Sequence, residues 1–165
     1  MGDITAALAA HRAAVDEFAN TAAKAAGNWT TPRAPGKWSP SQVAEHVARA
    51  IEESANEVRG EPSRFPSVPA FVRPVVRGVF FNRVLKKGAF PRAKTNRALD
   101  PESGPESPTA ARTRLDRAVG TFEEACRAAS GRSETMTTTL FGKVELADYV
   151  RFQELHARHH EKQLG

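Results

Sequence analysis

The sequence predicts an all-α protein, a four-helix bundle in which a long, basic, proline-containing connection joins the second and third main helices, with residues 1–165 forming one domain. Three observations lead there. Apolar residues recur at three- and four-residue steps in four separate stretches, the spacing that stacks side chains on one face of a helix. Two serine–proline pairs, Ser39-Pro40 and Ser107-Pro108, have the form of an N-cap followed by proline in the first turn. Alanine gathers in runs while valine, isoleucine and threonine are scattered, a balance that favours helices over strands. The size fits one core: the chain has 165 residues, 40% of them apolar, and folded chains of this length bury roughly 70% of their unfolded surface.

The first helix is expected from about Asp3 to Ala26, with Ile4, Leu8, His11, Val15, Phe18 and Ala22 on one face. Gly27-Asn28 stops it, and a loop with Pro32, Pro35 and Gly36 follows. The second helix has the clearest start in the chain. Ser39 is the N-cap, Pro40 stands at N1, Gln42 at N3 completes a capping box, and Trp38 can pack back on the first turn. Its inner stripe is Val43, His46, Val47, Ala50, Ser54 and Val58, and it ends near Arg59-Gly60. Beyond Pro62, Pro66 and Pro69, Phe71 to Lys87 reads as a further helix kinked by Pro74 and Gly78. Gly88 to Pro108, with four prolines and two glycines, reads as a loop long enough to carry function. The third main helix starts at Ser107-Pro108, carries Leu115, Val119, Phe122 and Cys126, and ends before Gly131. Thr135 to Gly142 reads as an extended stretch and a turn. The last helix runs from about Glu145 to Gln163, with Leu146, Tyr149, Gln153, His156, His160 and Gln163 facing inward.

Composition removes several functional classes. Cys126 is the only cysteine, so neither an intrachain disulfide nor a cysteine-based zinc or iron–sulfur site can form. A reducing compartment suits such a chain. Met1-Gly2-Asp3-Ile4 lacks the basic and apolar regions of a signal peptide. The most apolar stretch, Phe71 to Leu85, is broken by Arg73, Pro74, Arg77 and Arg83 well short of the roughly 20 residues a membrane span needs. The expectation is a soluble, cytoplasmic protein with no transmembrane segment. The net charge of +5 is local: from Arg59 to Arg97 there are ten lysines and arginines against Glu61 alone. Such a segment is a solvated face, or it attracts an anionic small molecule, an acidic membrane surface or a nucleic acid. Nucleic acid is the least favoured partner, because no helix-turn-helix, zinc-finger or RRM pattern accompanies the charge.

The residues that carry chemistry are histidines. His156 and His160 are spaced i, i+4, so on a helix they point the same way with Cβ atoms roughly 5–6 Å apart. Both lie on the inner stripe of the last helix, and His46 lies on the inner stripe of the second. Three imidazoles so placed fill three of the four positions of a tetrahedral metal shell or half of an octahedral one, leaving positions for water or substrate. The competing reading of each ring is a core histidine with a satisfied hydrogen bond. A shared metal explains the three together more simply, because each buried ring needs a polar partner. His159 points roughly 100° away from His160 and is expected on the outer side. Cys126, among Leu115, Val119 and Phe122, reads as a small apolar core residue and not a nucleophile. Glu45 and Asp148 flank the motifs off the inner stripe, where solvation is the simpler role.

Two stretches resemble the DinB/YfiT-like superfamily of metal-binding four-helix bundles. One is Trp38-Ser39-Pro40-Ser41-Gln42-Val43-Ala44-Glu45-His46-Val47. The other is Phe141-Gly142-Lys143-Val144-Glu145-Leu146-Ala147-Asp148-Tyr149, leading through His156 and His160 to Gln163-Leu164. The likeness covers most of the chain, although Arg59 to Pro105 carries no family motif. The resemblance implies that His46, His156 and His160 are a metal-binding triad for a divalent ion, zinc or nickel. It also implies thiol-dependent transferase chemistry, in which a low-molecular-weight thiol activated at the metal attacks a small-molecule electrophile. The basic segment would then contact the carboxylates of the thiol. A metal-dependent hydrolase, with water in place of the thiol, is the variant. A non-catalytic binding module with a structural or vacant site is the alternative of another class. Tyr149 and Gln153 would pack the bundle or bind substrate. Bundles of this kind often pair as homodimers through an outer face, but no patch in the sequence marks one.

Overall fold

A computed structural model describes residues 3–91 and 97–164. Arg92 and Lys94 of the basic segment lie outside the described residues. The protein is mostly helical. Four long helices, α1 (Ile4–Ala23), α2 (Pro40–Arg59), α5 (Pro108–Ser130) and α6 (Leu146–Glu161), share one core. Between α2 and α5 lie the short helices α3 (Arg73–Val76) and α4 (Asn82–Lys87), joined by a π-helical turn, Arg77–Phe81. Two strands, β1 (Thr135–Thr138) and β2 (Gly142–Glu145), form an antiparallel hairpin that leads into α6. α1 packs on α6 and α5, while α2 packs on α5 and also touches α6.

Asp3, where the first helix was expected to begin, is its N-cap and accepts the Thr5 N–H. The caps read from the sequence at Ser39 and Ser107 close as expected. The Ser39 hydroxyl accepts the Gln42 N–H and the Gln42 side chain accepts the Ser39 N–H, so both halves of the capping box form. Gly60, at φ 73°, ends α2 in the left-handed conformation. Ser107 caps α5 by accepting the Ala110 N–H. The inner stripes meet in a core holding Phe18, Val47, Ile51, Leu115, Phe122 and Val150, each full burial contributing about 1.5–3 kcal/mol of transfer free energy for such side chains. Arg12 with Glu123, Arg114 with Glu52, and Arg158 with Glu17 tie neighbouring helices together across the rim.

Three details differ from expectation. Pro74 does not kink a helix, because it sits in the first turn of α3, where its missing N–H removes no bond. The irregularity lies one turn later, in the π-turn around Gly78. A wider turn brings neighbouring residues closer in azimuth, and consecutive Phe80 and Phe81 both face inward onto Phe141 and Phe152. On the opposite side, Phe71, Val75 and Val79 are exposed. Lastly, the expected extended stretch and turn are present at Thr135–Thr138 and residues 139–141, but the turn leads into a second strand that the sequence did not show. The chain reverses through Thr139, Leu140 and Phe141, and Gly142 at φ 70° starts a second strand in register Thr138↔Gly142. Among the described residues no helix is long and apolar enough to cross a membrane.

Candidate metal centre

His46 lies seven residues past the α2 cap, and its ring is held from both sides. Trp38 packs over it, with ring centroids 4.9 Å apart. That is where the tryptophan of the motif goes. On the other side the ring Nδ1 lies 3.1 Å from the carbonyl oxygen of Leu99. A carbonyl only accepts, so Nδ1 carries the proton and donates it, which leaves Nε2 with a bare lone pair. That Nε2 is buried and has no hydrogen-bond partner among the described residues.

α6 brings the other two rings. His156 and His160 stand one turn apart, with centroids 4.5 Å apart and 5.4 and 4.6 Å from the His46 ring. Nδ1 of His160 is bonded to Oε1 of Gln163 at 2.9 Å, which again directs Nε2 inward. Nε2 of His160 lies 3.0 Å from Nε2 of His156. The ligand atoms of the three residues all lie within 4.8 Å of one another. Three ligands about 2.1 Å from one ion stand roughly 3–4 Å apart, so the cluster is close to a loaded geometry. Burial lowers the pKa of all three: His46 falls below 6.5, His156 well below it, and His160 to about 3, the neighbouring rings adding to the effect on His156 and His160. Neutral rings offer lone pairs, as a metal requires. The donor set is all nitrogen, and the Leu99 carbonyl and the Gln163 amide orient two of the rings from behind, the arrangement that holds metal-bound imidazoles in place. The residues present fit a divalent transition ion.

The rings stand at one end of a cavity of about 370 Å³. A family model described as the DinB superfamily matches residues 7–164. The chain belongs to the DinB superfamily. Comparisons with curated proteins and with solved structures find no match.

The remainder of the cavity in this DinB-superfamily chain runs between α2 and α6. Tyr149 and Gln153, expected on the inner face, do line it. Burial raises the pKa of the Tyr149 hydroxyl, so it stays a neutral phenol. His159 is not on the outer side as expected. It lines the cavity, bonded at 3.4 Å to the amide of Gln163 and 5.8 Å from the Phe90 ring, but it stands outside the three-histidine cluster. The reason is that Phe90, just after α4, packs beside His156 and His159 and covers a face that a bare helix would leave open. Glu45 pairs with Arg49 and Arg114, and Asp148 does not line the cavity. Cys126 is fully buried in the core, with its pKa pushed up to about 12 by burial, and is no nucleophile. The basic segment contributes Phe65, Phe80 and Phe90 to the cavity, and among the described residues, which leave out Arg92, Lys94 and the Arg97 side chain, no lysine or arginine lines it. Arg73 and Arg77 instead donate to the backbone carbonyls of Val68 and Lys143.

Two groups of lining residues escaped the sequence reading. One is an aromatic wall, Phe65, Phe80, Phe90, Phe141 and Phe152. Phe80 and Phe90 come from the stretch without a family motif, where no periodicity placed them. The other is Glu57, only 5% exposed. Its signal was available: Glu57 is eleven residues after His46, three turns along the same face.

Proposed function

We propose that His46, His156 and His160 hold one divalent cation, zinc or nickel, through their Nε2 atoms, and that the protein is a metal-dependent transferase joining a low-molecular-weight thiol to a small electrophile. The observation that carries the metal is the buried, unpartnered Nε2 of His46, whose Nδ1 proton is committed to Leu99. A buried lone pair without a donor is costly, and a cation shared with His156 and His160 removes that cost. The bound ion supplies positive charge that lowers the pKa of a thiol, so that the thiolate is available near neutral pH.

The chain's own residues set the rest. Leu99 and Gln163 fix the rings of His46 and His160. Phe80, Phe90, Phe141 and Phe152 keep water from the reacting centre and receive the apolar part of the substrate. Gln153, one turn before His156, offers an amide for orienting a polar substituent. This reading takes residues 1–165 as one domain with the four-helix-bundle architecture of its superfamily.

Hydrolysis, with water in place of the thiol, is the second reading. The metal is tested by elemental analysis of purified protein. One divalent ion per chain is expected, lost in the triple variant H46A/H156A/H160A together with a fall in Tm. Wild type that takes up no zinc or nickel, with a Tm the three substitutions leave unchanged, contradicts the proposal. The reaction class is read from the product of an activated aryl halide or ester. A thioether formed only with added thiol supports the transferase; thiol-independent release of the leaving group supports the hydrolase.

A further inference from the structure

At the far end of the cavity from the histidines stands a carboxylate with no counter-ion among the described residues. Glu57 lies on the stripe His46, Ala50, Ser54, Glu57 of α2, and its Cα is about 16 Å along the axis from that of His46. It lines the cavity and is 5% exposed. Its oxygens are held rigidly. Oε1 accepts from the hydroxyls of Ser63 at 2.6 Å and Thr139 at 2.7 Å, and Oε2 accepts from the Thr139 N–H at 2.9 Å. All three donors are neutral. No lysine, arginine or histidine among the described residues comes within ion-pair distance of it. A carboxylate has about four lone-pair positions, so one remains on Oε2. A buried charge with hydrogen bonds but no opposite charge is an expensive arrangement that a cationic ligand would relieve.

The walls suit the same ligand. Phe65 lines the cavity along with Glu57, and Phe141 follows two residues after Thr139, which Glu57 anchors. From Phe141 the rings continue without a break. Phe141 lies 5.4 Å from Phe152, Phe152 lies 4.7 Å from Phe90, and Phe90 lies 5.5 Å from the His156 ring. Aromatic faces attract cations and accept apolar stems equally well. Glu57 is too remote from the three histidines to serve them as a base, so its part is recognition.

We propose that this end of the cavity is a cation subsite, and that the molecule the site takes is a protonated amine on an apolar stem, its ammonium on Glu57 and the stem along the phenylalanine wall toward the histidines. The proposal rests on the reading of this cavity as the substrate site, but the subsite itself needs no metal. The competing role for Glu57 is purely structural, as the tie between α2 and the hairpin turn.

The test is calorimetric binding of 4-phenylbutylamine and its neutral counterpart 4-phenylbutan-1-ol to wild type and Glu57→Gln, each stripped with chelator and reloaded with zinc. The amine is expected to bind wild type at least about 10-fold more tightly than the alcohol in both metal states, as a charge-assisted contact requires. Glu57→Gln should bring the amine to the level of the alcohol and leave the alcohol unchanged. Equal binding of amine and alcohol by wild type overturns the proposal, and that comparison stands even if the variant folds poorly. A preference for the amine that appears only with zinc and survives Glu57→Gln places the amine on the metal, and overturns it too. Zinc stoichiometry on the same samples reads the metal centre separately, so either proposal can fail while the other holds.

Discussion

His46 and His11 are both buried imidazoles, and the structure treats them in opposite ways. His46 has a committed Nδ1 and a bare Nε2 beside two more imidazoles. His11, fully buried on α1 against Phe122 with ring centroids 5.1 Å apart, has no partner at either nitrogen. Burial pushes its pKa down from the ordinary 6.5 to about 4. Above pH 6.5 the ring is neutral both folded and unfolded and adds no pH dependence. Between pH 6.5 and 4 the unfolded chain takes the proton first, so stability falls with pH, by up to roughly 3 kcal/mol from this ring at about 1.4 kcal/mol per unit. Urea unfolding of His11→Leu at pH 7 and pH 4.5 should therefore show a smaller acid loss than wild type; identical losses would mean the ring is not held neutral. For His46 the expected result is different. His46→Gln should reduce zinc affinity by well over about 10-fold, since loss of even an orienting partner behind a ligand costs 10–100-fold. Competition with a chromogenic chelator measures it. The helical spacing in the sequence set the three histidines on inner faces. It could not say which nitrogen each ring presents, because that depends on Leu99 and Gln163, the first of them in a short 3-10 turn 53 residues away from His46.

The elements that hold these rings were legible to different degrees. α2 announced itself, because its cap and its stripe are local properties of neighbouring residues. Ser39→Ala removes the acceptor for the Gln42 N–H and should cost about 1 kcal/mol, a fall in Tm of about 2–4 °C for a chain of this length. The hairpin was half seen: β1 is short, and β2 is identified only by its pairing with β1. The π-turn was invisible, since the inward placement of both Phe80 and Phe81 is decided by Phe141 and Phe152 from the other end of the chain. The connection before α5 is fastened where no periodicity shows. Pro105 accepts hydrogen bonds from the Trp29 indole and the Ser41 hydroxyl, both at 2.7 Å, and Gln42 donates to the Pro101 carbonyl. A Cβ on Gly104 would stand 2.1 Å from the Ser41 carbonyl oxygen, in rigid backbone. Gly104→Ala should push this connection, and Leu99 with it, off α2. The expected outcome is a lower Tm together with weaker zinc binding, whereas Ser39→Ala should lower Tm more than it lowers zinc affinity.

At the level of the whole molecule, a cavity of about 370 Å³ between α2 and α6 has imidazole lone pairs at one end and a carboxylate at the other. The fold class and the metal cluster came from the inner stripes of the helices. The aromatic wall takes Phe65, Phe80 and Phe90 from a segment whose sequence looks merely basic and proline-rich, while Glu57 continues the His46 face of α2. A ligand that binds only the folded state raises stability by mass action. Zinc should therefore raise Tm in proportion to the logarithm of its concentration, and a chelator should reverse the gain. X-ray absorption of the zinc-loaded protein tests the shared cation most directly. Three imidazole nitrogens at about 2.0–2.1 Å are expected, falling to two in His156→Ala. A zinc spectrum without imidazole scattering, or one that His156→Ala leaves unchanged, would contradict it.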